Sequence, residues 1–451
     1  LHYPLRRQRQ MCIRDREYAE RHTVCPFELG LDSSLWSDVI IGDYNYLFDP
    51  VVHLARFFES AGDYIFLVDE AHNLPGRARE MHSAALTKTS FYEAKKLLGK
   101  GKSSLKNALT KVNDVFIEWR HRAEEETAAR DGRFGKTFFL KERSEEFDHL
   151  LNRLCEPLEA WLDDHREPDE THTALLQLYF DVRAWLRVAD TFDDHFVLQI
   201  TASGSEVRAA QLCLDPSAFL ADSFALGRAA VLFSATLAPA SYYKDLCGVP
   251  EARAVALRSP FPAGNQGLFC IGNVSTRYKD RDASLAIVEE SLATMVRAHC
   301  GNYLAFFPSY AYMEQAYAQF KEHCPEINCI KQENAMDEQQ KAAFLAQFVP
   351  GPSQTLLGFA VMGGVFGEGV DLTGDRLIGV GIVGPGLPQV GPRQEQLRDY
   401  FEQTRGSGFD YAYRYPGMNK VLQAAGRVIR TPRDKGCLLY TSPSPRDKRQ
   451  S

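Results

Sequence analysis

Apolar and polar positions along this chain follow two regimes. From Val39 to Val68 the order is strand, helix, strand: Val39-Ile40-Ile41 is apolar, and positions 51 to 58 repeat at helical spacing. Tyr64-Ile65-Phe66-Leu67-Val68 then forms a continuous apolar run of the kind that buried strands show. Between about Pro75 and Asp190 the pattern shifts to long charged helices, over 104–125, 144–164 and 173–187, with few strand signals. A short β-rich return over 196–200 and 209–214 leads into the apolar run Ala229-Ala230-Val231-Leu232-Phe233. After Pro239, strands at 303–307, 355–361 and 377–383 alternate with helices at 284–299 and 310–323, and the series ends on a helix around Gln423. Strand–helix alternation on both sides of a helical block predicts an α/β fold with two parallel-sheet units, the first interrupted by a helical insertion.

Composition adds limits. A chain of 451 residues, 45% of them hydrophobic, has room for two or three domains with their own cores and is not a disordered protein. Its formal charge is −7, and both tails are basic, so the middle is more acidic than the total. A nucleic-acid partner therefore cannot be argued from net charge, and any phosphate-binding groove must be local. No apolar run approaches the roughly 20 residues of a membrane span, and no signal peptide is visible, so the expectation is a cytoplasmic protein without a membrane partner. The cysteines are scattered without a framework; Cys324 and Cys329 have no second pair nearby, which argues against zinc there.

The chemistry-bearing residues fall at the ends of the apolar runs. Asp69-Glu70-Ala71-His72 follows the run into Val68, which places two carboxylates where a parallel sheet ends and ligands bind. One can hold Mg2+ while its neighbour polarises an attacking water. Ser234-Ala235-Thr236 follows the run into Phe233, Ser309 and Tyr310 follow the strand into Phe307-Pro308, and Gly367-Glu368-Gly369-Val370-Asp371 follows a glycine pair at 363–364. Gln423-x-x-Gly426-Arg427-x-x-Arg430 closes the series. On a helix, the spacing of Arg427 and Arg430 puts both guanidinium groups on one face, suited to the charge on a transferring phosphoryl group. Taken singly, each string also fits a polar strand exit, a glycine turn or a solvated helix face. A lysine loop of the form G-x-x-x-x-G-K-[ST] should precede the acidic string, and none does: Gly101-Lys102-Ser103 ends like one, but position 96 is Lys and no strand leads into it.

The succession of these strings resembles that of superfamily 2 helicases. His22-Thr23-Val24-Cys25-Pro26-Phe27, Ser37 to Leu47 and the box at Asp69 narrow the likeness to the XPD/DinG family of iron–sulfur DNA helicases, and it covers essentially residues 17–436. The resemblance implies two RecA-like motor domains. The first would take 17–74 and 191–239, a helical arch-like insertion 75–190, and the second 240–436. It implies ATP and Mg2+ as cofactors, with Asp69 on the metal, Glu70 orienting water, and Gln423, Arg427 and Arg430 closing over the γ-phosphate from the other motor. His72, Ser234, Ala235 and Thr236 would couple closure to DNA, Glu368, Gly369 and Asp371 would line the moving interface, and Ser309 and Tyr310 would contact single-stranded or forked DNA. Cys25 matches the last of four cysteine ligands to an iron–sulfur cluster, the other three lying upstream of this chain. The implied activity is ATP-driven 5′ to 3′ translocation by a monomer. This chain is expected to be inactive for want of the lysine loop. An RNA-dependent DEAH-type ATPase and a non-catalytic nucleic-acid binding fragment are the alternatives.

Both tails are expected to be something other than this protein. Met11-Cys12-Ile13-Arg14-Asp15 can be encoded by ATG TGT ATA AGA GAC, and the reverse complement of that string with a trailing AG, read in another frame, spells Cys437-Leu438-Leu439-Tyr440-Thr441. The flanks resemble transposon-based library adapters, so residues 1–16 and 437–451 are set aside as adapter-like scars.

Overall fold

The computed structural model describes residues 17–101, 103–129, 135–367 and 372–441. The chain divides into two compact units: the first takes Asp43–Ala254 and Gln389–Ala412, the second Val255–Pro388 with the described parts of 1–42 and 413–451.

In the first unit the apolar run before the acidic string forms strand β1 (Ile65–Val68). Its neighbours are set by long-range pairing. The strands after it are β2 (Ala84–Thr87), β3 (Lys136–Leu140), β4 (Phe196–Ser203), β5 (Glu206–Cys213) and β6 (Ala229–Leu232). β1 pairs in parallel with β6, Val68 opposite Leu232, so the Asp69 and Ser234 turns leave the same edge side by side. The insertion differs from the expected all-helical block. β2, β5, β4 and β3 form a four-stranded antiparallel sheet, and this takes 196–213 out of the first motor and into the insertion. The β4–β5 hairpin turns at Gly204, whose φ of +60° is the left-handed region that glycine enters at little steric cost. β2 and β3 are short and lie among charged residues, so they give no periodic signal of their own.

Three helices, Ser104–Ala129, Glu145–Asp164 and Glu170–Asp190, cover this sheet. Ser144 and Asp169 cap the second and third, accepting hydrogen bonds from Phe147 N and His172 N. Phe147 is the hub of the core, with ring centroids 5.4 Å from Phe116, 4.6 Å from Trp119 and 5.4 Å from Trp185. Two segments expected in the second motor also fold here. Tyr242, Tyr243 and Leu246 are buried, and the Tyr411 hydroxyl donates to Asp245 Oδ2 at 2.5 Å, with the Tyr242 and Tyr411 rings 5.1 Å apart.

The second unit is a six-stranded, all-parallel sheet built from β7 (Gln266–Ile271), β8 (Asn302–Phe307), β9 (Asn328–Lys331), β10 (Leu356–Val361), β11 (Gly379–Val383) and β12 (Gly436–Thr441). Their order is β7-β12-β11-β8-β10-β9. β8, β10 and β11 are buried along their whole length, as strands covered by helices on both faces must be. β12 takes in residues 437–441, beyond the expected edge of the domain at 436, and pairs with both β11 and β7. Residues 17–42, expected in the first motor, group with this unit. The strand expected at Val39-Ile40-Ile41 does not form; those residues are exposed and pair with no described strand. The sequence expectation of an α/β fold with parallel-sheet motor units and an insertion in the first holds, with these changes of boundary.

Candidate active site

The acidic string leaves β1 in a tight turn. Glu70 adopts φ +47° and ψ +40°, a left-handed conformation that is uncommon for a residue with a side chain. Hydrogen bonds hold the turn: Glu70 N donates to Asp69 Oδ1 at 2.7 Å, Ala71 N to Phe233 O at 3.1 Å, and the Tyr44 hydroxyl to the Asp69 carbonyl. Burial, reinforced by the negative charges of Asp69, Glu70 and Asp43, pushes the Tyr44 phenol up to about 12, so it stays a donor at neutral pH.

Ser234 ties the two turns together. Its Oγ lies 3.2 Å from Glu70 Oε2, 2.8 Å from His72 Nδ1 and 3.4 Å from Thr236 Oγ1, and it accepts the Thr236 N–H at 3.2 Å. His72 Nδ1 is also 3.2 Å from Glu70 Oε2, with its side chain almost fully buried while Glu70 is open to solvent. If Ser234 donates to Glu70, His72 carries its proton on Nδ1 and donates to Ser234, a tautomer assigned from the network. Ala235 sits in the turn between the two hydroxyl residues. The structure thus brings Asp69, Glu70, His72, Ser234 and Thr236 into one connected group. The neighbouring apolar positions depart from expectation: Ile65 and Leu67 are 61% and 68% exposed, because β1 has a single partner strand among the described residues.

In the second unit, candidate residues gather at the carboxyl ends of β8 and β10, the end of a parallel sheet where ligands bind in α/β folds. Ser309 caps helix Tyr310–His323, accepting from Tyr312 N, and its Oγ also receives Arg281 Nη1 at 3.4 Å. The Tyr310 hydroxyl accepts from Gln332 Nε2 at 2.7 Å. Glu368, Gly369 and Asp371 lie outside the described residues. The loop's near edge is held where Arg427 Nε donates to Gly367 O at 3.1 Å.

The expected helical face for Arg427 and Arg430 is corrected. Helix Tyr415–Ala425 includes Gln423 but stops before both arginines. Gly426 caps it, and the Thr431-Pro432 pair beyond disfavours further helix. Asp434 organises the turn beyond the helix, its Oδ2 accepting Arg430 N and Thr431 N, each at 2.8 Å, and its Oδ1 the Thr431 hydroxyl at 2.5 Å. Desolvation alone would raise the Asp434 pKa. These bonds, with one from the Gly374 backbone, outweigh it and hold the carboxyl below its ordinary value.

Cys25 is exposed at the start of helix Pro26–Ser34. Among the described residues no cluster of three or more His, Cys, Asp or Glu side chains could hold a metal. One thiolate does not fit an iron–sulfur cluster, which needs four ligands. Sequence reasoning did not single out Tyr44, Gln332 or Asp434. Tyr44 and Gln332 carry no spacing signal, whereas Thr431-Pro432-Arg433-Asp434 is a turn pattern that could have flagged the last.

Comparison with known proteins finds helicase relatives. Residues 292–448 match the helicase C-terminal domain model and residues 7–91 the DEAD_2 model. Relatives include the ATP-dependent DNA helicase CHL1 of Coccidioides immitis, 22% identical over 93% of this chain and 56% of that protein. The XPD helicase subunit of general transcription and DNA repair factor IIH from Schizosaccharomyces pombe is 24% identical over 94% and 64% respectively. The chain therefore spans between half and two thirds of the length of these relatives. A solved XPD helicase structure aligns with a TM-score of 0.60 at 18% identity, covering 94% of this chain and 73% of its own, a likeness of fold. The chain thus shares its fold with XPD helicase structures and carries two matched helicase domains. Both matched domains, the relatives and the fold support a likeness to XPD/DinG-type superfamily 2 helicases.

Proposed function

We propose that this chain is the motor portion of an ATP-dependent DNA helicase that moves 5′ to 3′ on single-stranded DNA. The observation that carries the reading is the bridge from Glu70 through Ser234 to His72 and Thr236, which joins the acidic turn to the Ser-Ala-Thr turn on adjacent strand ends. Asp69 and Glu70 are hard oxygen donors at the end of a parallel strand pair, a donor set that suits Mg2+. Asp69 would hold the metal, which would neutralise charge on the nucleotide phosphates. Glu70 would orient water, and Ser234 and His72 fix its carboxylate through the bridge. Gln423, Arg427 and Arg430 are assigned to the phosphoryl charge; Glu368, Gly369 and Asp371 to coupling; Ser309 and Tyr310 to the DNA backbone or a base, contacts without sequence preference.

The chain lacks the G-x-x-x-x-G-K-[ST] loop, so we infer that it does not turn over ATP as it stands. An iron–sulfur cluster, with Cys25 as one ligand, belongs to this reading only where further thiolates are supplied from outside this chain. No helix among the described residues is long and apolar enough to cross a membrane, and a cytoplasmic monomer is part of the same proposal.

The test uses a protein that carries the phosphate-binding loop in frame with this chain. Single-stranded DNA should stimulate its ATP hydrolysis more than RNA does. Arg430→Ala should lower turnover on the order of a thousandfold while leaving DNA binding intact. Preferential stimulation by RNA would favour the DEAH-type alternative, and normal turnover of the variant would remove the arginine role.

A further inference from the structure

We propose that Gln332 is a positioning residue that turns the Tyr310 hydroxyl outward as a hydrogen-bond donor for a phosphodiester oxygen of single-stranded DNA, a role that rests on the function proposed above. Gln332 follows β9 and is 2% exposed. The strands around it end in register, Phe307 opposite Val361 and Phe359 opposite Lys331, so Tyr310, Gln332 and Val361 meet at one edge of the sheet. The Gln332 backbone is pinned by its own N–H to Phe359 O at 2.8 Å.

The direction of the side-chain bonds is set by one obligate donor. Val361 N–H can only donate, and it reaches Gln332 Oε1 at 3.0 Å. That fixes the amide, so Nε2 points to the Tyr310 oxygen at 2.7 Å and must donate to it. With its oxygen accepting from inside, Tyr310 keeps its own proton for a partner outside, and its side chain is only part-buried. A neutral hydroxyl aimed this way suits a phosphate oxygen and reads no base edge. Gly364 belongs to the arrangement: a Cβ there would come within 3.1 Å of both Gln332 Nε2 and the Val361 carbonyl oxygen, and would require them to give by a few tenths of an ångström.

The experiment measures binding of fluorescein-labelled oligo-dT to the chain by anisotropy, with thermal melting alongside. Gln332→Glu keeps the size and still accepts from Val361, but its second oxygen would accept the Tyr310 proton and turn that donor inward. Tyr310→Phe removes the hydroxyl and keeps the ring. Each should weaken binding about tenfold, the worth of a hydrogen bond to a charged group, and the double variant should be no weaker than Tyr310→Phe alone. A merely structural role predicts lower melting and additive losses. Binding by Gln332→Glu equal to wild type, or unchanged binding by Tyr310→Phe, overturns the proposal. If Gln332→Glu does not fold, Tyr310→Phe, which deletes one part-buried oxygen, still decides whether the donor exists. No binding of oligo-dT by the unaltered chain would instead overturn the parent reading and this inference with it.

Discussion

Strand β1 leaves Ile65 and Leu67 at 61% and 68% exposure, whereas β8, no more apolar, buries Leu304, Ala305, Phe306 and Phe307 completely. Both lead into candidate functional turns. β8 lies between β10 and β11, with side chains packed against both faces, while β1 has only β6 beside it among the described residues. An apolar run states a capacity for burial, and its neighbours decide whether that capacity is used. In the first unit the acidic turn relies on polar ties from Tyr44, Phe233 and Ser234; in the second, the Tyr310 turn stands on a packed core.

The contrast is sharpest in stability. Phe306→Ala should cost about 3–5 kcal/mol, a value typical of large cavities in packed cores, whereas Leu67→Ala should stay within about 0.5 kcal/mol, as exposed positions do. Denaturant unfolding of the two variants compares them directly. A large loss at Leu67 would mean that β1 is covered after all.

Two buried carboxylates extend the comparison to pH. Asp434→Ala in the second unit removes the acceptor for Arg430 N and the Thr431 N–H and hydroxyl, and should cost about 2–3 kcal/mol. Because its folded pKa is lowered, the contribution of Asp434 is present above the unfolded carboxylate value and is lost as pH falls through the folded one. Asp148 in the insertion behaves in the opposite sense. Burial raises its pKa despite the bond from Trp185 Nε1 at 2.8 Å and the nearby Arg143. Its contribution is therefore greatest below the unfolded value and declines as pH rises through the raised one. Asp148→Asn keeps an acceptor for Trp185 and should change stability at neutral pH by less than about 1 kcal/mol. It should also flatten that slope. Melting across the acid range checks both signs, and parallel behaviour of the two variants would break the contrast.

How much the sequence reveals obeys the same division. The strand ends that carry Asp69, Ser234 and Ser309 were legible because apolar runs stop abruptly at polar, chemistry-bearing residues. The insertion's sheet was not, because β2 and β3 are too short for periodicity and exist only through long-range pairing, Ala84 with Gln211 and Lys136 with Ala202. Arg427 and Arg430 have helical spacing, yet Gly426 and Pro432 end the helix first; those stop signals were in the sequence and were outweighed by the motif. The tie from Gln332 to Tyr310 had no local signature, since the two residues meet only when β8, β9 and β10 align.

The central claim is that, in a protein that also carries the phosphate-binding loop, the acidic turn on β1 would hydrolyse nucleotide under control of the Ser-Ala-Thr turn. The most direct measurement is DNA-stimulated ATP hydrolysis by Glu70→Gln in a protein that carries the phosphate-binding loop ahead of this chain. Turnover at least about a hundredfold below the unaltered protein, with oligo-dT binding retained, is the predicted result; unchanged turnover would contradict the account.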